Sequence, residues 1–299
     1  MRHIIVIGKN GQLARALRQS AQAHGVSVTT FGRGDCDLSG PPETIRKFFK
    51  HLPHCDGVII AAAYTAVDDA ETDSETAFKV NARGPDIIAQ ECRRRNIPLL
   101  YISTDYVFSG ETKAPIKIDH PARPINFYGV SKLEGEKAVF ESGARAVILR
   151  TSWVFDGTGK NFMTTMLRLG VKGAHLKIVD DQIGRPTYAA HLARACWVSL
   201  KKLISEPNFK GGIFHVSGKG APISWMEFAR EIFKQRPDPT GGIQISRVMT
   251  RDYPTPAKRP LYSVLDVQDF ERIFDHKLPN WKAGLAAAFR ERGGEREPL

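Results

Sequence analysis

The stretch that decides the fold runs from His3 to Ala14 and reads HIIVIGKNGQLA. Its apolar beginning predicts a short buried strand, and the residues after it predict an amphipathic helix that ends near Ala23. Between them lies the pattern G-x-x-G-x-x-A. Gly8 permits a tight turn, Gly11 lets the backbone approach a pyrophosphate, and Ala14 allows close helix–strand packing. Such a motif also occurs in ordinary strand–helix turns, but in a first βα unit it favours dinucleotide binding.

The next predicted strand, Val26 to Phe31, ends in Gly32-Arg33 without an acidic residue. An acid there would hold the ribose 2′-hydroxyl of NAD, whereas an arginine suits the 2′-phosphate of NADP. We therefore expect Arg33 to favour NADPH; NADH is the alternative cofactor, and a solvated arginine is the structural alternative. Asp37 and Leu38 follow, and they either flank the adenine or form a turn before the next helix.

A third apolar strand, Gly57 to Ile60, runs into Ala62-Ala63-Tyr64. Small side chains at a strand end would let a cofactor lie close to the backbone, although tight packing also explains them. A helical stretch from about Ser74 to Arg95 follows. We expect Gly84-Pro85 to break or kink it, because proline lacks the N–H group and clashes with the preceding turn.

The fourth predicted strand runs from Pro98 to Ser103, and the candidate residues Thr104 and Asp105 follow at its C-terminal end. A helix predicted from about Phe127 to Glu141 carries Tyr128 and Lys132 four residues apart, on one helix face. A phenol has a pKa near ~10, and a neighbouring ammonium lowers it. The hydroxyl of Thr104 could bond a substrate oxygen beside the phenol. This trio suits proton transfer to a carbonyl oxygen while a hydride reaches the carbon.

Two residues further along the chain are candidates for substrate contacts. Trp153 follows a strand predicted from Arg145 to Arg150, where a sugar or base could stack, but an aromatic here belongs to the core about as often. Arg185 lies in a polar turn from Asp180 to Thr187. It either pairs with a phosphate or braces the loop.

The length and composition of the chain limit the classes of protein to which it can belong. A chain of 299 residues with 42% hydrophobic residues suits one large α/β unit or two closely joined domains. We expect no membrane span, because no run approaches ~18 apolar residues, and no signal peptide, because the first strand begins at once. Its scattered cysteines predict reduced thiols in a cytoplasmic protein and no zinc site. Because the net charge of +11 is spread along the chain, we expect an anionic small substrate rather than nucleic acid.

Taken together, these motifs resemble the extended short-chain dehydrogenase/reductases, and among them the dTDP-4-dehydrorhamnose reductase family. The matching segments are residues 8–13 (GKNGQL), 61–71 (AAAYTAVDDAE), 103–110 (STDYVFSG), 128–132 (YGVSK), 149–155 (LRTSWVF), 181–187 (DQIGRPT) and Arg259-Pro260 with Ser263. The resemblance implies an α/β fold, a Rossmann-type doubly wound parallel sheet with a smaller C-terminal substrate lobe. Residues 1–155 would form the dinucleotide-binding domain, with 181–216 returning to it. Residues 156–180 and 217–299 would mainly form the substrate lobe.

The resemblance also implies an activity, the NADPH-dependent reduction of the 4-keto group of dTDP-4-dehydro-L-rhamnose to give dTDP-L-rhamnose. Tyr128 would be the acid, Lys132 the ribose anchor and tuner of the phenol pKa, and Thr104 the carbonyl partner. Asp105 and Trp153 match substrate positions of the family. Cofactor contacts would come from Gly8, Asn10, Gly11, Gln12, Leu13, Arg33, Asp37, Leu38, Ala62, Ala63, Tyr64, Tyr128 and Lys132.

Other functions stay open at this point. The β subunit of methionine adenosyltransferase resembles the same family and uses the fold to bind NADP and a partner protein, and related reductases act on other 4-keto-6-deoxy sugar nucleotides. An intact Thr104/Tyr128/Lys132 set favours an enzyme. Some members of the family dimerise through Mg²⁺ held by glutamates. Here Arg15 and the segment Tyr188 to His191 carry no carboxylate, so we expect no metal and a monomer or weak homodimer.

Overall fold

The computed structural model describes residues 1–171, 173–236 and 242–294. Its strands are β1 (Arg2–Ile7), β2 (Val26–Phe31), β3 (Gly57–Ile60), β4 (Leu99–Thr104), β5 (Ala146–Thr151), β6 (Val154–Phe155), β7 (His175–Val179), β8 (Ile183–Gly184), β9 (Thr187–Tyr188), β10 (Gly211–His215), β11 (Ile223–Ser224) and β12 (Gln244–Val248). Its helices are α1 (Gln12–Ser20), α2 (Pro42–His51), α3 (Ser74–Phe78), α4 (Gly84–Arg95), α5 (Phe127–Glu141), α6 (Phe162–Leu169), α7 (Ala189–Ser205), α8 (Trp225–Lys234), α9 (Gln268–Phe274) and α10 (Trp281–Arg292).

The central sheet is parallel throughout. Within the described residues it has six strands in the order β10-β5-β4-β3-β1-β2. The chain leaves β1 toward β2 and then returns to β3 on the other side of β1, so the strand order reverses between β1 and β3. In open α/β sheets, ligands bind outside the carboxyl ends of the strands at such a reversal. The Rossmann-type doubly wound parallel sheet predicted from the sequence is confirmed.

Helices cover both faces of the sheet. On one face α1 packs against α7, and Leu17 and Leu200 lie fully buried between the helices and the strands. On the other face α2, α4 and α5 pack side by side, and Phe49, Ile88 and Val139 are buried there. Each fully buried side chain of this kind contributes about 1.5–3 kcal/mol of transfer free energy. Both faces together hold the strand ends at fixed positions.

A π-helical turn, Lys79–Arg83, joins α3 to α4. It directly precedes Gly84-Pro85, so the predicted interruption of this helix occurs as a wider turn. Pro85 has no N–H group and therefore cannot bond the carbonyl of Asn81 four residues earlier. Another donor takes that place, because the hydroxyl of Tyr101 on β4 donates to the Asn81 carbonyl oxygen at 2.7 Å. The turn thus fixes a buried asparagine beside the end of the central strand.

The C-terminal part of the chain adds small sheets next to the main one. β7 pairs with β12 in parallel, and β8 pairs with β11 in antiparallel orientation. α6 and α8 pack here around a separate core that includes Phe155, Phe228 and Trp281. These elements form the smaller lobe beside the carboxyl ends of the main sheet. None of the helices described is long and apolar enough to cross a membrane.

Candidate active site

A cavity of about 1020 Å³ opens at the carboxyl ends of the sheet strands, where the strand order reverses. Its wall is built from the loops that follow β1 to β5 and from side chains of α5, α7 and α8. The residues predicted from the sequence that line it are Gly8, Asn10, Gly11, Gln12, Leu13, Arg33, Asp37, Leu38, Ala62, Ala63, Tyr64, Thr104, Asp105, Tyr128, Lys132 and Trp153. The fold therefore brings residues from five separate loops into a single space.

The glycine loop fits a dinucleotide. Gly8 has φ +126°, and a Cβ atom at this position would lie 3.0 Å from the backbone nitrogen of Ala62, so only glycine fits without strain. Its N–H group donates to the carbonyl of Phe31 at 2.8 Å. Gly11 precedes the first turn of α1, and a Cβ atom there would meet no atom within 4 Å. The free N–H groups and the positive end of the helix dipole suit a pyrophosphate at this point.

Arg33 lies at the cavity mouth with its side chain 76% exposed. Its Nε atom is 3.4 Å from Oδ2 of Asp37, and its Nη2 atom is 3.2 Å from Oγ of Ser39. Exposed ion pairs of this kind contribute about 0–1 kcal/mol, so the guanidinium can exchange these partners for a phosphate at little cost. This position fits the predicted contact with the 2′-phosphate of NADP.

Tyr128 and Thr104 form the centre of the candidate chemistry. Tyr128 is buried, and burial raises the pKa of its phenol to about 12, while a hydrogen bond with the Thr104 side chain acts in the opposite direction. A phenol with this pKa is protonated at neutral pH. It can therefore donate a proton to a developing alkoxide. Tyr128 and Thr104 line the same cavity, and their roles as acid and carbonyl partner stay predictions.

Lys132 differs from the expectation in one respect. Its buried amine donates to the hydroxyl of Tyr101 and to the carbonyl of Ile102, both at 2.7 Å. Burial lowers the pKa of this amine to about 7, and the charge of Glu136 acts in the opposite direction. The net direction of the Tyr128 pKa is upward, because loss of water around the phenol is the largest effect on it. The expected lowering of that pKa by Lys132 stays a prediction. Lys132 does line the cavity, where a ribose contact is available.

Sequence reasoning missed Asn81, which supports this corner of the site. Its side chain exchanges hydrogen bonds with the backbone of Tyr64, at 2.8 and 3.1 Å, and donates to Oγ of Ser131 at 3.0 Å. Its carbonyl accepts from Tyr101, the partner of Lys132. The available signal was Pro85, because a proline inside a helical pattern leaves the carbonyl four residues earlier without its usual donor.

Trp153 lines the cavity in an unusual backbone conformation. Its φ of +49° lies in the left-handed region, which is uncommon for a bulky residue. The indole stacks on Trp225 of α8, with ring centroids 3.5 Å apart and planes at 6°. A Cβ atom on Gly184 would lie 2.5 Å from the Trp153 ring, so a glycine is needed there. Trp225, which the sequence reasoning missed, also lines the cavity.

Asp105 is a buried carboxyl group in the cavity wall. Burial raises its pKa to about 7, although hydrogen bonds with Ser263 and Thr104 act in the opposite direction. The Thr104 hydroxyl donates to Oδ1 at 3.1 Å. The other oxygen, Oδ2, has no hydrogen-bond partner in the described part of the chain. The position is consistent with the predicted substrate contact, because a substrate hydroxyl would satisfy that oxygen.

The structure does not bring Arg185 to the cavity. Its Nη1 atom donates to the carbonyl of Leu265 at 3.3 Å, and its own carbonyl accepts from Oγ of Ser152 at 3.1 Å. Of the two alternatives that the sequence left open, these contacts favour the bracing of the loop over a contact with a ligand phosphate.

These features define a class of protein. A doubly wound sheet with a glycine loop, a protonated tyrosine beside a threonine hydroxyl, and a lysine one helical turn away describe a nicotinamide-dependent oxidoreductase of the short-chain type. Residues 1–171, 173–236 and 242–294 contain no group of His, Cys, Asp or Glu side chains arranged to hold a metal ion.

Comparison with known proteins defines the class more narrowly. The family model described as the RmlD substrate binding domain matches residues 1–293. A dTDP-4-dehydrorhamnose reductase of Sinorhizobium fredii is 39% identical over 281 residues, which cover 93% of this chain and 94% of that protein. The chain therefore belongs to the dTDP-4-dehydrorhamnose reductase family.

Two more matches bear on ligands. A crystal structure of dTDP-4-dehydrorhamnose reductase from Bacillus anthracis in complex with NADP superimposes with a TM-score of 0.86 at 33% identity, covering 97% of this chain and 99% of that chain. A probable dTDP-4,6-dihydroxy-2-methyloxan-3-one 4-ketoreductase of Streptomyces antibioticus is 33% identical and covers 95% of this chain and 94% of that protein. The family thus includes reductases described for different 4-keto sugar nucleotides.

Proposed function

We propose that this protein reduces the 4-keto group of dTDP-4-dehydro-L-rhamnose with NADPH and forms dTDP-L-rhamnose. The observation that carries the proposal is that Tyr128 and Thr104 line the same cavity as the glycine loop. The relative from Sinorhizobium fredii supports the substrate, and the NADP complex from Bacillus anthracis supports the cofactor.

NADPH, when bound, would supply a hydride to C4 of the sugar. Gly8 and Gly11 would hold its pyrophosphate, and Arg33 its 2′-phosphate. Tyr128 donates its proton to the carbonyl oxygen as that oxygen gains negative charge. The Thr104 hydroxyl lines the same cavity and donates to Oδ1 of Asp105 at 3.1 Å, so it must leave that partner to bind the substrate oxygen. Lys132, one turn away, adds positive charge to the same wall when it is protonated.

We also propose a division of labour along the chain. Residues 1–155, with 181–216 returning to them, would bind the cofactor, because they supply every strand of the main sheet within the described residues. Residues 156–180 and 217–299 would mainly bind the sugar nucleotide. Trp225 supports this assignment, because it reaches the cavity from the smaller lobe and stacks on Trp153.

The test is a spectrophotometric assay with purified protein, NADPH and dTDP-4-dehydro-L-rhamnose. We expect loss of NADPH absorbance and the appearance of dTDP-L-rhamnose. Tight NADPH binding without turnover would instead favour a regulatory subunit of the kind found with methionine adenosyltransferase. A panel of other 4-keto-6-deoxy sugar nucleotides completes the test, because the relative from Streptomyces antibioticus favours that second candidate function. A higher kcat/KM on one of them would replace the substrate proposed here.

The compartment and the assembly belong to the same proposal. The free, buried thiols support a reducing compartment, which we propose is the cytoplasm; they are Cys36, Cys55, Cys92 and Cys196. We propose a monomer or weak homodimer. Sedimentation over a range of protein concentrations, with and without Mg²⁺, tests this, and a stable dimer that requires Mg²⁺ would contradict it.

A further inference from the structure

A group of polar contacts joins the N-terminal half of the chain to the smaller lobe beside the active-site cavity. It consists of Asp68, Thr255, Ala257 and Arg259, and we call it the clasp. We propose that Arg259, held by Asp68, is a positioning residue that sets the orientation of Tyr128. This inference rests on the reductase function proposed above and deepens it.

Asp68 anchors the clasp. Its carboxylate accepts from both terminal nitrogens of Arg259, Nη1 to Oδ1 at 3.1 Å and Nη2 to Oδ2 at 2.7 Å. It also accepts from the backbone N–H group of Ala257 at 3.1 Å. The bond with Arg259 lowers the pKa of the Asp68 carboxyl, so the pair is charged at neutral pH. A bidentate pair fixes direction as well as distance, which a single contact between exposed charges does not.

The guanidinium of Arg259 also fixes the shape of its own segment. Nη1 donates to Oγ1 of Thr255 at 2.6 Å and to the carbonyl of Ala257 at 3.0 Å. Only 22% of the Arg259 side chain is exposed. The segment from Thr255 to Arg259 therefore folds around the guanidinium and is attached through it to Asp68, which lies 191 residues earlier in the chain.

The first route from the clasp to Tyr128 runs through the helix cap. The carbonyl of Lys258 accepts from Nδ2 of Asn126 at 2.8 Å. Oδ1 of the same Asn126 side chain accepts from the N–H group of Gly129 at 2.7 Å and caps the first turn of α5. Tyr128 lies between these two residues. The position of the segment from Thr255 to Arg259 thus sets the start of α5, the helix that carries Tyr128.

The second route runs through an aromatic ring. The charge of Arg259 acts on the side chain of Tyr106 and lowers its pKa, against the larger effect of burial. The Tyr106 ring meets the Tyr128 ring edge to face, with centroids 5.5 Å apart and planes at 75°. Such pairs prefer a defined geometry and contribute about 0.5–1.5 kcal/mol beyond area burial. Arg259 therefore acts on the phenol through the helix cap, and its charge lies near the ring that packs on Tyr128.

The clasp itself does not line the cavity, whereas Val67, the neighbour of Asp68, does. A substitution in the clasp should therefore change the orientation of Tyr128 far more than it changes the residues that contact the cofactor directly. A misplacement of about 1 Å at a reacting group can cost roughly 10²-fold in rate. Because proton donation belongs to the transition state, the loss should fall on kcat rather than on KM.

The first experiment compares Arg259→Met, Arg259→Lys and Asp68→Asn with Arg272→Met as the matched control. Arg272 forms an exposed pair with Asp269 on α9, with 69% of its side chain exposed. We expect Arg259→Met to lower kcat by roughly 10- to 100-fold with KM and the NADPH dissociation constant within about twofold. Arg259→Lys should recover part of the loss. Unchanged kcat, or an equal loss of NADPH affinity, would overturn the proposal.

The second experiment does not depend on turnover. Hydrogen exchange followed by mass spectrometry should show faster exchange in Arg259→Met at two places, residues 255–260 and the first turn of α5, and wild-type exchange in Arg272→Met. Exchange at the first turn of α5 that stays at the wild-type rate would overturn the proposal even if kcat fell. Should the wild-type protein fail to turn over the keto-sugar, the proposed function fails, and this measurement still decides whether Arg259 positions Tyr128.

Discussion

The indole rings of Trp153 and Trp225 stack with centroids 3.5 Å apart, the first between β5 and β6 and the second on α8 of the smaller lobe. Both line the cavity. Trp153 has a left-handed backbone, φ +49°, so its side chain emerges at an angle that an ordinary strand residue does not reach. The stack therefore fixes an aromatic surface where the two parts of the chain meet.

Loss of this stack should weaken substrate binding. We expect Trp225→Ala to raise KM for the sugar nucleotide by roughly 2- to 10-fold, because an aromatic pair contributes about 0.5–1.5 kcal/mol. Trp225→Phe keeps a ring under Trp153 and should stay near the wild-type value. Steady-state kinetics at saturating NADPH measure both variants. An unchanged KM in Trp225→Ala would show that the stack serves packing alone.

Removal of the phenol hydroxyl should separate chemistry from binding. Tyr128→Phe is expected to lower kcat by about 10²- to 10⁴-fold, because it removes the proton donor and keeps the ring. NADPH affinity, measured by fluorescence titration, should change little. Tyr253→Phe is the control, since that side chain is 50% exposed. Near-normal turnover of Tyr128→Phe would rule out its role as the acid.

Cofactor preference should depend on Arg33. Arg33→Ala is expected to weaken NADPH by roughly 10-fold, since hydrogen bonds to charged groups contribute about 1.5–3 kcal/mol, and to leave NADH almost unchanged. The comparison of dissociation constants for both cofactors is the measurement. Arg46→Ala, whose guanidinium donates to Oε1 of Gln90 at 3.4 Å, is the control. Equal weakening of both cofactors would reject the contact with the 2′-phosphate.

Asp105 should make the folded state less stable at higher pH. Burial raises its pKa to about 7 in the folded state, against about 3.9 in an unfolded chain. Between these values the folded protein holds a proton that the unfolded chain has lost, so the contribution of Asp105 to stability falls as pH rises through this range. Asp105→Asn should therefore raise the melting temperature at pH 8 by more than at pH 5.

Thermal unfolding at both pH values checks this, and Asp269→Asn, an exposed carboxylate on α9, is the control. The expected gain at pH 8 corresponds to about 1–3 kcal/mol, the penalty of a buried group that lacks its partner. A larger gain at pH 5 than at pH 8 would contradict the assigned direction of the shift.

Several features could be predicted from the sequence because they are local. The strand–glycine loop–helix unit needs only the conformational freedom of Gly8 and an apolar run before it. The helix Phe127–Glu141 has the bounds that its pattern predicts, so Tyr128 and Lys132 lie one turn apart as the sequence requires. Sheet class and the edge of the sheet that carries the ligand cavity follow from the order of such units.

Other features depend on residues far apart in the chain. The pairing of β7 with β12 joins short, half-exposed strands with weak patterns, and no pattern predicted it. The bridge from Asp68 to Arg259 spans 191 residues. Trp225 reaches the cavity from α8, which packs against α6 and against β7, β11 and β12 of the small sheets.

The chemistry of the site divides in the same way. The sequence alone determined which functional groups are present, a phenol, an amine and a hydroxyl at the strand end, because these are properties of residue type and spacing. Only the tertiary structure decided the burial, the pKa direction and the hydrogen-bond partners of these groups. Burial, and not the amine of Lys132, sets the direction of the Tyr128 pKa, and the amine itself turns to Tyr101 and Ile102. The reason is that the loss of water around a group depends on all the residues packed against it. The spacing of residues along one helix does not predict those contacts.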